Sequence, residues 1–242
     1  STRLPGKVLK PILGEPMLAR MLERVKRAAM LDAIVVATSE KPRDGAVASL
    51  AKSCGVGVFR GSEDDVLDRM YRAAKEARAD VIVGLTGDCP LHDTAVIDEA
   101  VRHFLAANDP FAYAGTPANY PEGLDTDISA FPAFEEAWQN ARLHSEREHI
   151  AQYFKNHSGR FHGLPWTVGT EDNAWMHWSV DTGRDFEFVI NIFEQLYPTN
   201  QSFTKDDVLA LLTRQPELLE INKGGTGYEG LAKSLKIDEE ML

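Results

Sequence analysis

Three short stretches of this sequence place ionisable side chains where phosphate or metal chemistry could use them. Thr86-Gly87-Asp88-Cys89-Pro90-Leu91 directly follows the β-branched run Asp80-Val81-Ile82-Val83-Gly84-Leu85. That run reads as a buried strand of a parallel sheet. Asp88 therefore falls just past the strand's C-terminal end, the edge where open α/β sheets bind ligands. Pro90 fixes the turn, and Asp93 is placed to cap the next helix. A carboxylate held this way suits Mg2+; the plainer reading is a turn residue that only caps. Ser1-Thr2-Arg3-Leu4-Pro5-Gly6-Lys7 is a basic loop. Gly6 lets backbone N–H groups approach an anion, and Arg3 and Lys7 supply charge. A solvated turn would have the same composition. Trp178-Ser179-Val180-Asp181-Thr182 offers a further carboxylate behind a strand-like apolar run.

Alternating elements position these residues. Leu18, Met21, Leu22, Val25 and Ala29 recur at helical spacing, with Arg20, Glu23, Arg24, Lys26 and Arg27 expected on the opposite face. Ala33 to Thr38 reads as a buried strand. Val47, Leu50, Ala51 and Cys54 mark a helix face ended by Gly55. Val56 to Phe59 is a short strand, and Val66, Leu67, Met70, Tyr71 and Ala74 give a helix leading into the strand before Asp88. Val96 to Phe104 follows as a helix. Residues 9–107 thus alternate helix and strand as a parallel, doubly wound α/β sheet does.

The pattern changes after residue 108. Phe111 to Ala114 and Thr126 to Phe131 read as strands around a Gly/Pro-rich loop containing Tyr120-Pro121-Glu122-Gly123. Phe134 to Ala141 reads as a helix, and Ser145-Glu146-Arg147-Glu148 as a capping box opening another through Phe154. Phe186 to Phe193 gives a further helix face, and Thr204 caps the helix after it. Gly224-Gly225-Thr226-Gly227 has no strand before it, so it reads as a loop and not a phosphate cradle.

The chain has 242 residues, enough for one domain with a substantial core. A net charge of −11 argues against general binding to nucleic acid or anionic membrane. No apolar run approaches the roughly 20 residues of a membrane span. The first residues lack the apolar core of a signal peptide. Cys54 and Cys89 lie far apart without metal-site spacing, which points to a reducing cytoplasm. Both are read as packing residues. The 7 histidines lack zinc-hydrolase spacing and are expected mostly at the surface or in caps.

Taken in order, Arg3-Leu4-Pro5-Gly6-Lys7, Gly14-Glu15-Pro16-Met17, Val35-Val36-Ala37-Thr38-Ser39, Phe59-Arg60-Gly61-Ser62-Glu63-Asp64-Asp65-Val66-Leu67, Thr86 to Leu91, Tyr120-Pro121-Glu122-Gly123-Leu124-Asp125, Ser145-Glu146-Arg147-Glu148-His149 and Trp178 to Thr182 form a set. With it, the chain resembles the spore coat polysaccharide biosynthesis protein F family, which is similar to the CMP-sialic acid and CMP-Kdo synthetases. The resemblance covers nearly the whole chain. It implies an α/β, glycosyltransferase-A-like nucleotidyltransferase fold: a mixed, mostly parallel sheet with helices on both faces and a small β/α arm. It implies one cytidylyltransferase domain over 1–242, with 108–178 serving acceptor binding and dimerisation.

The resemblance also implies CTP as co-substrate and Mg2+ as cofactor. Arg3, Gly6 and Lys7 would meet the triphosphate, and Asp88 and Asp181 would hold the metal. Thr38, Ser39, Gly61 and Ser62 would lie near base and ribose. Tyr120, Gly123, Asp125, Arg147 and His149 would face the acceptor. That acceptor is expected to be a small acid, a nonulosonic sugar acid being what the related synthetases suggest. A homodimer is expected, since the aromatic segment Phe111 to Trp178 is too apolar for a plain surface loop. In the family a strand with a Gln-Ala-Arg-like end precedes the basic loop; this sequence opens at Ser1, inside it. A sheet without that strand would carry an exposed edge and one phosphate ligand fewer.

Two other readings compete. Asp125-Thr126-Asp127 matches the Asp-x-Asp motif of glycosyltransferases of the same fold, although it opens a strand expected beyond the core sheet. The chain could also be a nucleotide-binding module without turnover.

Overall fold

The computed structural model describes residues 3–225 and 229–241. After a 3-10 turn at Lys7–Leu9, strands β1 (Pro11–Ile12) and β2 (Glu15–Pro16) form a small antiparallel hairpin. Its two-residue turn, Leu13 and Gly14, has φ of 48° and 83°, the positive values that match strand twist in a tight hairpin. Helix α1 (Met17–Val25) buries Leu18, Met21, Leu22 and Val25 as the periodicity predicts. Its polar face is not simply solvated, however. Arg20 and Arg24 are buried. Arg20 donates to the carbonyls of Ile12 and Leu13, and Arg24 to those of His92 and Phe203. A guanidinium's forked donors let it go inside by satisfying loop carbonyls.

Strand β3 (Val35–Ser39), helix α2 (Gly45–Ser53), strand β4 (Gly57–Gly61), helix α3 (Val66–Ala77) and strand β5 (Val81–Gly84) follow. β3 and β4 pair in parallel, Val35 opposite Gly57 and Ser39 opposite Gly61. Gly55, at φ 72°, ends α2 as expected. Helix α4 (Thr94–Ala107) leads to β6 (Ala112–Gly115) and β7 (Asp127–Ala130).

Here the structure departs from the simple alternation. β7 does not lie beyond the core sheet. It inserts between β5 and β6, antiparallel to both, and β8 (His162–Gly163) adds in parallel to β6. The alternation of Asp127, Ile128 and Ser129 fits a strand paired on both sides, a register that local pattern does not reveal. Among the described residues, β3 pairs only with β4 and β5 only with β7. Val36 and Val83 nevertheless pack on one apolar cluster with Leu18, Met21, Leu22, Val25 and Ile97, so one core spans both sheet segments.

Helices α5 (Phe131–Asn140), α6 (His144–Glu148) and α7 (Ile150–Asn156) come next. The expected single helix from Ser145 is two, broken at His149, whose φ of −118° and ψ of 98° are extended. Ser145 is not the cap. The Glu146 carboxylate instead accepts the N–H groups of Arg142 and Leu143, and Ser145 N donates to Asp238. Helix α8 (Gly183–Leu196) and helix α9 (Lys205–Arg214) start at Thr182 and Thr204, each with an Asp three residues on completing a reciprocal cap. Helix α10 (Glu229–Met241) packs on α6.

The aromatic segment mostly fills cores. Phe134, Tyr153, Phe154 and Phe161 pack with Tyr71 in one cluster, and Trp178 packs with Phe188, Phe193 and Phe203 in another. Trp175 is the exception, 65% exposed. No helix of the described residues is long and apolar enough to cross a membrane.

Candidate active site

The C-terminal end of β5 delivers Asp88, and the turn into α8 delivers Asp181. Both reach one cation. Lys7 Nζ donates to Asp88 Oδ2 at 2.7 Å, to Asp181 Oδ1 at 3.2 Å and to the Val180 carbonyl at 2.6 Å. Arg3 Nη2 adds a second contact to Asp181 Oδ1 at 2.9 Å. Val180 N donates to the Asp88 carbonyl at 2.8 Å, so the two acidic turns are tied backbone to backbone. Gly6, at φ 67°, adopts the left-handed turn that swings Lys7 inward. Lys7 is 8% exposed, and the ammonium's three donors are all engaged. The solvated-turn reading of this loop therefore fails.

The electrostatics are mutual. Burial disfavours the charged form of Lys7, but Asp88 and then Asp181 outweigh it and hold the ammonium above its ordinary pKa. Burial likewise works against charged Asp88, and Lys7 and the Thr86 hydroxyl outweigh it, so its carboxyl lies below the ordinary value. Cys89 is buried next door, its Sγ 3.0 Å from Thr86 Oγ1. Burial, then the Asp88 charge, pushes its thiol well up, which makes it a packing residue and not a nucleophile.

A second group stands at the ends of β3 and β4. Thr38 and Ser39 close β3, and Gly61 closes β4 directly opposite Ser39. The Ser39 hydroxyl binds the Asp44 carboxylate and accepts from Lys41 N. Arg60 Nε donates to the Ser39 carbonyl at 3.0 Å. Ser62 Oγ accepts from the N–H groups of Asp64 and Asp65 at 3.2 and 3.1 Å, shaping the turn into α3. A side chain at Gly61 would crowd Phe59 and Arg69 at 3.0 and 3.2 Å.

The 120–125 loop lies against the Trp178–Val180 run, which is not a regular strand; its link to the loop is a bridge between Glu122 and His177. Gly123 has φ +100°, and a Cβ there would fall 2.5 Å from Ser179 N. Only glycine permits that approach. Asp125 Oδ2 accepts Gly123 N at 2.8 Å. Tyr120 lies under Lys205 Nζ, 4.6 Å from the ring centre. Asp127, opposite Gly84 in the β5–β7 ladder, has its carboxyl raised to about 6 by the crowding of surrounding chain and then by Asp125, although its side chain still reaches solvent.

Arg147 and His149 go elsewhere. Arg147 forms an ion pair with Asp65 at the start of α3 and donates to the Trp138 carbonyl at 2.8 Å. It therefore stands with the Ser62–Asp65 turn. His149 Nε2 is 3.3 Å from Ser234 Oγ of α10. Of the Gly-rich stretch, Gly224 and Gly225 continue from a turn; Thr226 and Gly227 lie outside the described residues.

Sequence reasoning missed a second buried cation. His177 Nδ1 is 2.6 Å from Glu122 Oε2, and its Nε2 is 3.7 Å from Asp185 Oδ1. Burial alone would lower its pKa, but the Asp185 and Glu122 carboxylates outweigh this and raise it to about 10. Against the opposing effect of burial, His177 and Thr182 hold Asp185 at about 2. The available signal was three charged residues flanking two apolar motifs. His92 is buried as well, its pKa lowered to about 4 by burial and then by Arg24.

The mixed sheet flanked by helices, with Asp88 and Asp181 gathered on one cation beside it, has the glycosyltransferase-A-like nucleotidyltransferase fold of the solved structures it superposes on. The family described as cytidylyltransferase matches residues 1–224, and the chain belongs to it. It is 30% identical over 230 residues to the spore coat polysaccharide biosynthesis protein SpsF of Bacillus subtilis, covering 90% of this chain and 91% of that protein. A 3-deoxy-manno-octulosonate cytidylyltransferase of Geobacter metallireducens is 36% identical over 108 residues, 44% of this chain and 41% of that one. Among solved structures, a cytidylyltransferase from Leptospira borgpetersenii superposes with a TM-score of 0.83 at 31% identity, covering 95% of this chain and 94% of that chain.

Proposed function

We propose that this chain transfers CMP from CTP to a small acidic acceptor and releases pyrophosphate, in surface polysaccharide biosynthesis. The observation that supports it is the convergence of Asp88 and Asp181 on the Lys7 ammonium. Such a reaction needs no nucleophilic side chain. An acceptor oxygen attacks the α-phosphorus in line, the bond to the β-phosphate oxygen breaks, and the protein's work is positioning and charge stabilisation. Lys7 and Arg3 offset charge growing on the pyrophosphate, and Gly6 lets the backbone approach it. Thr38, Ser39, Gly61 and Ser62 form the base and ribose side. Tyr120, Gly123 and Asp125 serve the acceptor side; Arg147 stands with the Ser62–Asp65 turn and His149 with Ser234 of α10, so neither is assigned to it.

Asp88 and Asp181 fit a Mg2+ ion: the donors are oxygens, they already converge on one cation, and Mg2+ takes one or two carboxylates with water and phosphate oxygens. When bound, the ion would neutralise charge on the phosphate oxygens. A homodimer and a cytoplasmic location complete the proposal. Trp175 is the one aromatic of the 108–178 segment left widely exposed for such an interface.

The test is pyrophosphate release from CTP, Mg2+ and a panel of small acids, run beside a sugar-transfer assay with sugar nucleotides. Turnover with CTP and preference for CTP over ATP, GTP and UTP by calorimetry are expected. Sugar transfer without pyrophosphate release would move the assignment to a glycosyltransferase, with Asp125 and Asp127 as its carboxylates. CTP binding with no turnover against any acceptor would favour a binding module.

A further inference from the structure

Asp181 stands on a turn whose backbone is held by a second carboxylate. Asp185 Oδ2 accepts Asp181 N at 3.1 Å, Thr182 N at 2.7 Å and Thr182 Oγ1 at 2.8 Å. Asp185 itself is 2% exposed. Its other oxygen faces the His177 ring, whose far nitrogen contacts Glu122. Glu122 also accepts from Ser179 Oγ at 3.1 Å, and its carbonyl accepts Trp178 N at 2.8 Å. The residue after Glu122 is Gly123, which packs on the Trp178–Ser179 backbone. The ring itself is fenced in. Asn222 Nδ2 donates to the His177 carbonyl at 2.6 Å, and a Cβ at Gly225 would lie 2.8 Å from His177 Cδ2.

We propose that His177 is a positioning residue for Asp181, bridging Asp185 to Glu122 and so tying the Asp181 turn to the Gly123–Asp125 loop. The inference rests on the metal role proposed above for Asp181. A ligand carboxylate is only as well placed as the backbone that carries it, and here that backbone hangs on Asp185. Groups that orient a metal ligand without touching the metal typically change affinity or activity 10- to 100-fold when lost. Without the ring, Asp185 loses the charged partner 3.7 Å from its Oδ1, and the carboxylate is held only by the Asp181 and Thr182 donors on Oδ2.

Mn2+ serves as the probe, titrated through the EPR signal of the free ion with saturating CTP and no acceptor. His177→Gln and Asp185→Asn are expected to weaken Mn2+ binding by roughly 10- to 100-fold. His177→Arg, whose forked guanidinium can also span two carboxylates, is expected to recover most of the affinity. A purely architectural histidine would lower the melting temperature of His177→Gln and leave Mn2+ affinity of the folded protein unchanged; that result overturns the inference. If His177→Gln does not fold, Glu122→Gln, nearly isosteric and less buried, decides in the same way: weaker Mn2+ binding supports the bridge and unchanged binding overturns it. A wild-type protein that binds no Mn2+ with CTP removes the metal reading itself, whereas wild-type binding matched by His177→Gln, Asp185→Asn and Glu122→Gln removes only the bridge.

Discussion

Lys7 and His177 are each a buried cation between two carboxylates, yet they are built differently. Around Lys7, the side chains of Asp88 and Asp181 keep 29% and 14% of their exposure. Around His177, Asp185 keeps 3% and Glu122 17%. Lys7 is carried on the flexible stem of a turn, whereas His177 is a planar ring fenced by backbone. The first arrangement can exchange its cation for an incoming one. The second is sealed at its Asp185 end and holds geometry. Like charges brought together in a fold need a cation between them, and access decides whether that cation is a placeholder or a fixture.

The largest effect should come from the open cluster. Asp88→Asn and Asp181→Asn keep shape and lose charge, and each should lower pyrophosphate release by on the order of 100-fold or more while the protein stays folded. Near-normal turnover in either variant at saturating Mg2+ would take that residue out of the metal site. Lys7→Ala should depress kcat with CTP by roughly 30- to 1000-fold. It should also lower the melting temperature, because two carboxylates are left facing each other without their cation. Added Mg2+ should restore part of that loss, since the ion can enter between Asp88 and Asp181. The melting loss of His177→Gln should show no such rescue; equal rescue in both would erase the distinction between open and closed.

Gly123→Ala tests the contact that brings the two regions together. A Cβ 2.5 Å from Ser179 N at φ +100° should cost roughly 2–5 kcal/mol, combining overpacking with backbone strain, readable as a lowered denaturant midpoint with unchanged slope.

Stability against pH separates the clusters further. His177 is raised from 6.5 to about 10, so its stabilising contribution is complete below pH 6.5 and is lost as pH climbs towards 10. Asp185 is lowered from 3.8 to about 2, so its contribution is complete above 3.8 and is lost as pH falls towards 2. Thermal melts of wild type should therefore fall between pH 7 and 10, and His177→Gln should flatten that slope. An equal slope in both proteins would place the alkaline loss elsewhere. The smallest effect belongs to Cys89→Ala: it trims packing beside Asp88, should lower stability slightly and should leave CTP turnover near wild type.

Much of this was legible in the chain itself. Asp88 stood out because a β-branched run ends just before it, and strand ends are where such sheets bind ligands, and the structure brings it to Lys7. Helices α1, α3 and α4 follow their apolar periodicity, and Thr204 and Asp93 cap where they were expected. Those features are local, encoded in neighbours along the chain. The ordered motifs were also enough to indicate the family. What local pattern could not yield was any partner far away; Asp88 and Asp181 were placed together by the resemblance alone. It placed Arg20 and Arg24 only on the face opposite the apolar stripe, because the carbonyls they satisfy belong to Ile12, Leu13, His92 and Phe203. It put β7 outside the sheet, because insertion between β5 and β6 is a matter of pairing and not of pattern. It read the histidines as surface or capping residues, because the carboxylates on either side of His177 approach from Glu122 and Asp185 only after the chain has folded. Periodicity and turn chemistry act over a few residues and set the elements. Buried charges are set by neighbours in space, so the salt bridges of Lys7 to Asp88 and Asp181, and the whole His177 cluster, were decided by tertiary structure alone.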